Sequence, residues 1–484
     1  MTVPTSLDLH RVVVRHRGRP LVDVADLRLE PGRPVTIVGE SGSGKSVLAH
    51  AVMGTLDPEL EVVGAMSVGS RRLDLADRGN RRFRWGRDLA LLPQEPALAL
   101  DPTMRVRGQV AEGVPGFRRH DRRAAEVADA ALGRLGLSDA GAAYPHTLSG
   151  GMAQRVAYAA ATVGGARVLI VDEPSKGLDP ASLDRLADLL AEHTAGGGIL
   201  LTITHDLRLA RRIGGRVLVM REASVVEEGA AEQVLDAPAH DYTRRLLAAE
   251  PSRWRHRWAP VLPPADPPPD LITATAVTKS YGAASLFEDL SLRIGAGERW
   301  AVSGPSGVGK TTLGNVLLRL TSVDRGAVEH APAAEGGRLQ KLYQDPTLSF
   351  PARVRLGLAM TDVVKRHDVA AGRLQELMTA VGLPHDLLDR RPAQVSGGEL
   401  QRLAIVRAMM TRPVLVFADE ATSRLDLVTQ EVTVDCLMTE LSESGCALLL
   451  VTHDRELATA VADHHLVLGA PGRSRASVTG ILPV

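Results

Sequence analysis

The sequence predicts an α/β fold that is built twice within one chain of 484 residues. Short apolar runs such as "PVTIV" and "GILLTI" alternate with helical patterns, which is typical of layered folds around a parallel sheet. Four motifs also recur in the same order, which indicates two domains of similar architecture. The repeated pairs are "GESGSGKS" (39–46) and "GPSGVGKT" (304–311), "LSGGMAQR" (148–155) and "VSGGELQR" (395–402), "VLIVDEPSKGLD" (168–179) and "LVFADEATSRLD" (415–426), and "TITHD" (202–206) and "LVTHD" (450–454).

The spacing of the motifs agrees between the copies. Ser149 precedes Asp172 by 23 residues, as Ser396 precedes Asp419. The largest difference lies between the Gly-rich motif and the next glutamine, where the first copy carries 15 additional residues. We therefore predict one domain over 1–250 and a second over 271–484. Each should have a parallel-sheet core, an antiparallel β subdomain and a helical subdomain, the last over 95–147 and 345–394.

The segment between the domains, 251–270, contains seven prolines. Such composition favours an extended, semi-rigid linker over a packed core. An ordered loop packed on the surface is the alternative around Trp254 and Trp258, and the sequence leaves it open.

Composition excludes several classes of protein. Lys and Arg together equal Asp and Glu at 57 each, so no overall field favours nucleic acid, and we expect no nucleic-acid partner. Two cysteines, Cys436 and Cys446, argue against a disulfide framework or a Cys-ligated metal site. We find no signal peptide and no apolar run of about 18 residues, so we expect a cytosolic chain without a membrane span.

The Gly-rich motifs match the phosphate-binding P-loop, G-x-x-x-x-G-K-[ST], between an apolar strand and a helix. In such loops backbone N–H groups surround phosphate, the Lys reaches the β- and γ-phosphates, and the hydroxyl binds Mg²⁺. Lys occurs at only six positions in the chain, and two of these, Lys45 and Lys310, lie in the Gly-rich motifs, which supports a specific role for them. The predicted ATP-binding residues are Gly39, Glu40, Ser41, Gly42, Ser43, Gly44, Lys45, Ser46 and Val47, and Gly304, Pro305, Ser306, Gly307, Val308, Gly309, Lys310, Thr311 and Thr312.

Acidic pairs follow two further apolar runs. Asp172 and Asp419 are expected to hold Mg²⁺ together with Ser46 and Thr311. The next residues, Glu173 and Glu420, are placed to orient and polarise the attacking water. For a single Asp-Glu pair the alternative is two ordinary solvated side chains at the end of a strand. Because these pairs occur in a chain that also contains P-loops, that alternative is the minor one.

Two histidines, His205 and His453, are predicted to end strands at matched positions. A single His is usually structural, whereas two at matched offsets, 33 residues after Asp172 and 34 after Asp419, suggest contacts to the γ-phosphate.

This set of motifs resembles the ATP-binding-cassette (ABC) ATPases over nearly the whole chain apart from the linker. In that family two cassettes pack head to tail, and the signature of one cassette caps the ATP on the P-loop of the other. The resemblance implies that Ser149, Gly150 and Gly151 serve the nucleotide on Lys310. It likewise implies that Ser396, Gly397 and Gly398 serve the nucleotide on Lys45. A helix N-terminus with Ser and Gly offers N–H donors and a positive dipole end to phosphate.

The resemblance implies further site residues. Gln94 and Gln344 are expected to contact Mg²⁺ and the reacting phosphate, although either alone reads as a surface residue. The family places an aromatic ring under adenine, and Tyr281 fits, 29 residues before Lys310. The equivalent residue of the first copy is His16, a weaker stacking partner. ATP and Mg²⁺ are the expected cofactors of both sites.

Several segments look like the oligopeptide, dipeptide and nickel importer branch: "QEPALALDP", "YPHTLSGGM" and "APAHDYTRRLLAAEP" (237–251). This implies a chain on the cytoplasmic face of the membrane, with an extracellular binding protein and two permeases. The segments after Gln94 and Gln344 differ, so the permeases are expected to form a heterodimer. The solute is expected to be a peptide, nickel or a metal–opine chelate, with nickel or a metallophore ahead because of "DEATSRLDLVTQ".

Two other functions remain as alternatives. One is the ATPase of a drug or solute exporter. The other is a soluble tandem cassette on the ribosome, against which the short, proline-rich linker argues.

Overall fold

The computed structural model describes residues 6–77, 79–80, 84–118, 121–175, 178, 180–254, 257–258, 269–282, 284–305, 307–423, 425–469 and 477–480. They form two compact units, Met1–Ala248 and Ala249–Val484, which are described separately below. The predicted ATP-binding residue Ser306 and most of the predicted linker lie outside the described residues.

The first unit contains two sheets and a group of helices. Its strands are β1 (Leu7–His16), β2 (Arg19–Val24), β3 (Leu27–Leu29), β4 (Val35–Val38), β5 (Glu61–Val68), β6 (Arg71–Asp74), β7 (Leu89–Leu92), β8 (Val168–Asp172), β9 (Ile199–Ile203), β10 (Arg216–Arg221) and β11 (Ser224–Ala230). Its helices are α1 (Lys45–Met53), α2 (Pro96–Ala99), α3 (Val106–Glu112), α4 (Arg122–Arg134), α5 (Gly150–Thr162), α6 (Pro180–Ala195), α7 (Leu207–Ile213), α8 (Ala231–Asp236) and α9 (Asp241–Ala248).

The larger sheet of this unit has the order β11-β10-β4-β9-β8-β7. All its pairs are parallel except β10 with β11. The strands β4, β8 and β9 are buried along their whole length, as expected where helices or a second sheet cover both faces. Parallel pairing brings the carboxyl ends of these strands to one edge, where the predicted phosphate and acidic motifs follow.

The smaller sheet of the first unit is antiparallel, with the order β2-β1-β5-β6 and with β3 paired to β1. Its apolar face packs on α1 and on the larger sheet in one cluster that includes Leu7, Val14, Leu48 and Ile170. A second cluster lies among α3, α4 and α5, including Val110, Ala128 and Val156, and forms the core of the helical subdomain.

The second unit repeats this plan. Its strands are β12 (Asp270–Tyr281), β13 (Ala284–Gly295), β14 (Arg299–Ser303), β15 (Arg325–His330), β16 (Leu339–Leu342), β17 (Leu415–Asp419), β18 (Ala447–Val451), β19 (His464–Val467) and β20 (Ser477–Gly480). Its helices are α10 (Lys310–Leu317), α11 (Leu356–Arg366), α12 (Arg373–Ala380), α13 (Gly397–Met409), α14 (Leu427–Ser444) and α15 (Arg455–Val461).

The sheet orders match between the units. The parallel sheet of the second unit runs β16-β17-β18-β14-β19-β20, with only the last pair antiparallel. Its antiparallel sheet has three strands, β13-β12-β15. In the first unit β6 pairs with β5, and the described residues of the second unit have no strand at this position. β6 lies between Lys45 and Gln94, the part of the first copy that is 15 residues longer than its counterpart. The predicted fold class, two α/β domains with parallel and antiparallel sheets, is confirmed.

The described part of the predicted linker packs on the second unit. Trp254 is 1% exposed and belongs to the core of that unit, and Trp258 meets it edge to face with ring centroids 5.8 Å apart. Arg257 forms ion pairs with Glu431 and Asp435 of α14. At these residues the structure therefore shows an ordered, packed segment, the alternative that the sequence left open.

Within the described residues, no helix is both long and apolar enough to cross a membrane.

Candidate functional site

The first P-loop connects β4 to α1, and its close packing explains two of its glycines. Gly39 has φ +150°, and a Cβ built there would lie 2.2 Å from the carbonyl oxygen of Met220. Gly44 has φ +103°, and its Cβ would lie 2.2 Å from the carbonyl oxygen of Leu21. Both positions exclude any side chain, so the loop is held tightly against β2 and β10, with α1 beginning at Lys45.

The P-loop lysines lie inside their loops. Lys45 Nζ donates to the carbonyl oxygens of Gly39 (2.8 Å) and Glu40 (2.7 Å). Lys310 Nζ donates to those of Gly304 (2.9 Å) and Pro305 (3.0 Å). Both side chains are buried, so each loop encloses one ammonium, as phosphate-binding loops do.

A hydroxyl and a carboxylate meet at the start of each P-loop helix. Ser46 Oγ donates to Asp172 Oδ1 at 2.8 Å, and Thr311 Oγ1 donates to Asp419 Oδ1 at 2.9 Å. Burial raises the pKa of both aspartates, and the hydroxyl bonds oppose that shift. Hydroxyl and carboxylate oxygens are ligands that Mg²⁺ accepts. The residues present therefore fit the predicted Mg²⁺ site in both units.

The glutamates after these strands have an unusual backbone conformation. Glu173 has φ +45° and Glu420 has φ +51°, a region that residues other than glycine rarely adopt. The N–H of Glu173 donates to Ile203 O at 2.7 Å, and that of Glu420 donates to Val451 O at 2.9 Å. These bonds to the neighbouring strand hold a conformation that costs about 1–3 kcal/mol.

Each glutamate is paired with the predicted histidine. His205 Nδ1 lies 2.6 Å from Glu173 Oε2, and His453 Nε2 lies 2.5 Å from Glu420 Oε1. Burial alone would raise the pKa of Glu173, but the charge and hydrogen bonds of His205, with Lys45, leave it below its ordinary value. Burial alone would lower the pKa of His205, and the same pairing leaves it above its ordinary value. The first pair therefore favours a carboxylate beside an imidazolium.

The sequence suggested that His205 and His453 end their strands, and the structure shows that this prediction was wrong. β9 ends at Ile203 and β18 at Val451, so each His lies two residues further on. The hydroxyls of Thr204 and Thr452 accept from the N–H of the Asp two residues later, which turns the chain out of the strand and toward the next helix. That turn carries the imidazole back to the glutamate.

The two predicted glutamines differ. Gln344 Nε2 donates to Glu420 Oε2 at 2.7 Å, so the second glutamate is held on both oxygens. Gln94 is exposed at the equivalent position and has no such contact with the described residues.

The two signature motifs begin helices α5 and α13, with Gly150, Gly151, Gly397 and Gly398 in the first turns. Ser149 Oγ accepts from the N–H of Met152 at 3.4 Å.

Ser396 forms a reciprocal capping box with Glu399. Its N–H and its hydroxyl both donate to Glu399 Oε2 at 2.8 Å, and Glu399 N donates to Ser396 Oγ at 3.2 Å. The second signature therefore carries a carboxylate on its first turn, where the first has Met152.

The predicted adenine-stacking residues lie at corresponding strand ends. Tyr281 ends β12 and is 57% exposed, with Lys279 Nζ 5.4 Å from its ring centroid. His16 ends β1, and its Nε2 lies 4.0 Å from Glu59 Oε2.

A cavity of about 440 Å³ runs beside the first P-loop, between β2 and the β10–β11 turn. Its lining includes Arg19, Leu21, Ser43 and Arg221, but not His16. Stacking of adenine on His16 therefore stays a prediction.

Sequence reasoning missed Tyr242 on α9. Its hydroxyl accepts from the N–H of Glu40 in the P-loop at 3.1 Å, across 202 residues of sequence, and Arg221 covers its ring. Its place in the segment 237–251, which resembles the importer branch, is the sequence signal for this residue. Pro305 stands at the position of Glu40 in the second loop and has no N–H to donate.

Comparison with known proteins agrees with this geometry. A protein-family profile described as "ABC transporter" matches residues 22–176 and 287–423. The chain is 33% identical over 507 residues to the "Glutathione import ATP-binding protein GsiA" of Salmonella choleraesuis (strain SC-B67), covering 92% of this chain and 81% of that protein. It is also 33% identical over 485 residues to the "Peptidoglycan transport ATP-binding protein YejF" of Agrobacterium fabrum, covering 92% and 87%.

Solved structures resemble the fold. A structure called "RNase-L Inhibitor" matches with a TM-score of 0.67 and 20% identity, covering 97% of this chain and 90% of that one. An archaeal ribosome recycling factor matches with the same TM-score and 21% identity, covering 94% and 87%. At this identity the likeness concerns the fold alone.

The hydroxyl of Tyr242 gives a test of how the first P-loop is held. Replacing it by Tyr242→Phe leaves the N–H of Glu40 without this acceptor, and one hydrogen bond contributes about 0.5–1.5 kcal/mol. We expect ATP affinity at the first site to fall roughly 2–10-fold, measured by equilibrium binding to a full-length Lys310→Ala chain.

The matched control is Tyr158→Phe, which removes a buried hydroxyl that donates to Leu189 O, away from the P-loop. An equal loss of affinity in this control, or no loss with Tyr242→Phe, would show that Tyr242 does not support the loop.

Proposed function

The chain belongs to the ABC transporters as one of their ATP-hydrolysing proteins, and from this premise we propose that both of its nucleotide sites energise uptake of a peptide-type solute. The observation that supports ATP hydrolysis at both sites is the repeated group of P-loop lysine, hydroxyl–aspartate pair and glutamate–histidine pair, built in each unit at the carboxyl edge of a parallel sheet.

Binding of ATP begins at the P-loops. Lys45 and Lys310 exchange their loop carbonyl partners for phosphate oxygens, and the loop N–H groups donate to the same phosphates. Ser46 with Asp172, and Thr311 with Asp419, would hold Mg²⁺, with Gln94 and Gln344 as further ligands. When bound, Mg²⁺ supplies positive charge that offsets the charge of the phosphate oxygens.

Hydrolysis is assigned to the glutamates. Glu173 and Glu420 orient the attacking water and accept its proton, and both have a left-handed backbone conformation directly after their strands. His205 and His453 hold these carboxylates through one ring nitrogen, and the second ring nitrogen would contact the γ-phosphate. In the first unit the low pKa of Glu173 keeps it ionised and ready to orient water.

Each site is proposed to be completed by the other copy. The helix start at Ser149 would serve the nucleotide on Lys310, and that at Ser396 the nucleotide on Lys45. Both helices are 13 residues long and begin with a Ser cap and two glycines, which leaves backbone N–H groups accessible to a phosphate. Linking both copies in one chain keeps their effective concentration high.

Peptide-type solutes come first because of the relatives' names, which refer to import of glutathione and transport of peptidoglycan. Nickel and metal–opine chelates are retained as the second group, supported only by the motif 419–430. The solute does not contact the nucleotide sites, so their geometry does not distinguish these groups.

The proposed partners are an extracellular binding protein and two different permeases, with the chain on the cytoplasmic face of the membrane. The segments after Gln94 and Gln344 would receive the permeases. In the second unit Leu348 and Leu358 are 67% and 60% exposed there, which supports a protein contact on this surface. The corresponding segments differ in sequence, which supports a permease heterodimer.

The assignment of chemistry is tested by the chain with both Glu173→Gln and Glu420→Gln. Loss of a positioned base lowers turnover about 10²–10⁴-fold, whereas amides of the same shape leave the P-loop lysines and ATP binding intact. Steady-state phosphate release and equilibrium ATP binding measure the two effects. Glu126→Gln, at an exposed position on α4, is the control and should match the wild type. Near-normal turnover of the double variant would refute the assignment.

The solute class is tested by uptake in a deletion strain. We expect accumulation of labelled glutathione and of a dipeptide to fall to background, and to return with the intact gene but not with the double glutamate variant. Labelled nickel and a nickel–opine complex are assayed in parallel. Loss of nickel uptake alone would reassign the solute, and normal uptake of all four together with retention of an exported drug would contradict import.

A further inference from the structure

We propose that Lys341 is a positioning residue of the second nucleotide site, and that it makes nucleotide binding there less dependent on Mg²⁺ than binding at the first site. The inference rests on the proposed function, because it takes Lys310 and Lys45 as the phosphate-binding residues of the two sites. Lys341 lies on β16, three residues before Gln344, and belongs to none of the repeated motifs.

The ammonium of Lys341 is enclosed beside the hydroxyl–aspartate pair. Its side chain is 9% exposed, and Nζ lies 3.6 Å from Asp419 Oδ2. Nζ also donates to Asn315 Oδ1 at 2.7 Å, from the second turn of α10. A buried charge requires such partners, and here a carboxylate and an amide oxygen supply them.

Two aromatic rings complete the enclosure. Nζ lies 4.9 Å from the ring centroid of Tyr343 and 5.1 Å from that of Phe417, within the range of cation–π attraction. Phe417 in turn requires Gly314 on α10, because a Cβ at Gly314 would lie 2.1 Å from its ring. Residues of β16, β17 and α10 are therefore mutually adjusted around one ammonium.

The first copy is built differently at the same register. Leu91 pairs with Ile170 there, as Lys341 pairs with Phe417 in the second copy. Leu91 packs on the apolar core of the first unit, and Ala49 stands four residues after Lys45, where the second copy has Gly314 after Lys310. The first copy therefore has an aliphatic side chain at the register of Lys341, and the cationic groups that act on Asp172 are His50 and Lys45 of α1.

The charge balance at the two aspartates then differs. Thr311 donates to Asp419 Oδ1, and Lys341 faces Oδ2, so the second carboxylate is already partly neutralised. A divalent cation gains less electrostatic attraction from a carboxylate that already faces an ammonium, and the ammonium itself attracts phosphate oxygens. At this separation the effect on the Mg²⁺ dependence of nucleotide affinity is on the order of tenfold.

A purely structural Lys341 would behave differently. Its removal would lower the stability of the second unit and leave the Mg²⁺ dependence of binding unchanged. The Mg²⁺ dependence is therefore the quantity that separates the two roles.

The experiment uses full-length chains with one P-loop disabled, Lys45→Ala to isolate the second site and Lys310→Ala to isolate the first. The Kd of a fluorescent ATP analogue, MANT-ATP, is measured in excess Mg²⁺ and in EDTA. We expect the EDTA-to-Mg²⁺ ratio of Kd to be on the order of tenfold smaller at the second site. Lys341→Met, and Lys341→Leu as a second variant, should raise that ratio toward the value of the first site. Leu91→Met is the matched control at the first site and should leave its ratio unchanged.

Equal ratios at the two sites of the parent chains would overturn the inference, and this comparison needs no variant of Lys341. A folded Lys341→Met or Lys341→Leu chain with an unchanged ratio would overturn it as well. Absence of nucleotide binding in both single-site chains would instead contradict the proposed function, so the two failures are distinguishable.

Discussion

The hydrogen bond between the P-loop hydroxyl and the strand-end aspartate is the contact on which the rest of each site depends. It joins Ser46 to Asp172 and Thr311 to Asp419, and so fixes the start of the P-loop helix against the next-but-one strand of the sheet. The parallel register of that sheet sets where the following glutamate leaves its strand. In the first unit β9 lies between β4 and β8, and His205, two residues beyond β9, can then reach Glu173. His453 reaches Glu420 in the same way in the second unit.

The two copies share this frame but differ around it. Tyr242 contacts the backbone of the first P-loop, whereas Pro305 excludes an equivalent bond in the second. Glu420 is held by both a histidine and Gln344, and Lys341 lies beside Asp419. These differences surround the reacting groups without replacing any of them. One chain therefore contains two candidate sites with matching lysine, hydroxyl–aspartate and glutamate–histidine groups and different electrostatic surroundings.

The sequence predicted the fold class and the sheet-edge location of the motifs, because repeated spacing and buried strands are local patterns. It also singled out the lysines, aspartates, glutamates and histidines that the structure brings together. It did not reveal Tyr242, whose partner is 202 residues away, or Lys341, whose neighbours Asn315 and Asp419 lie on α10 and β17. The left-handed backbone of Glu173 was equally hidden, since Glu carries no preference for that conformation.

The central proposal, that each nucleotide site is completed by the signature helix of the other copy, is tested most directly at Gly398. A Cβ at Gly398 meets only ordinary contact, 3.5 Å from Leu425, whereas one at Gly151 would lie 2.5 Å from Ser182 Oγ and disturb its own unit. We therefore favour Gly398→Asp, with Gly398→Ala as the control. Each variant is combined with Lys310→Ala, which leaves the Lys45 site, or with Lys45→Ala, which leaves the Lys310 site. Equilibrium binding of ATPγS and of ADP is then measured for each chain. The account predicts weaker ATPγS binding at the Lys45 site, through repulsion of the γ-phosphate, with ADP binding unchanged. A loss confined to the Lys310 site would contradict it.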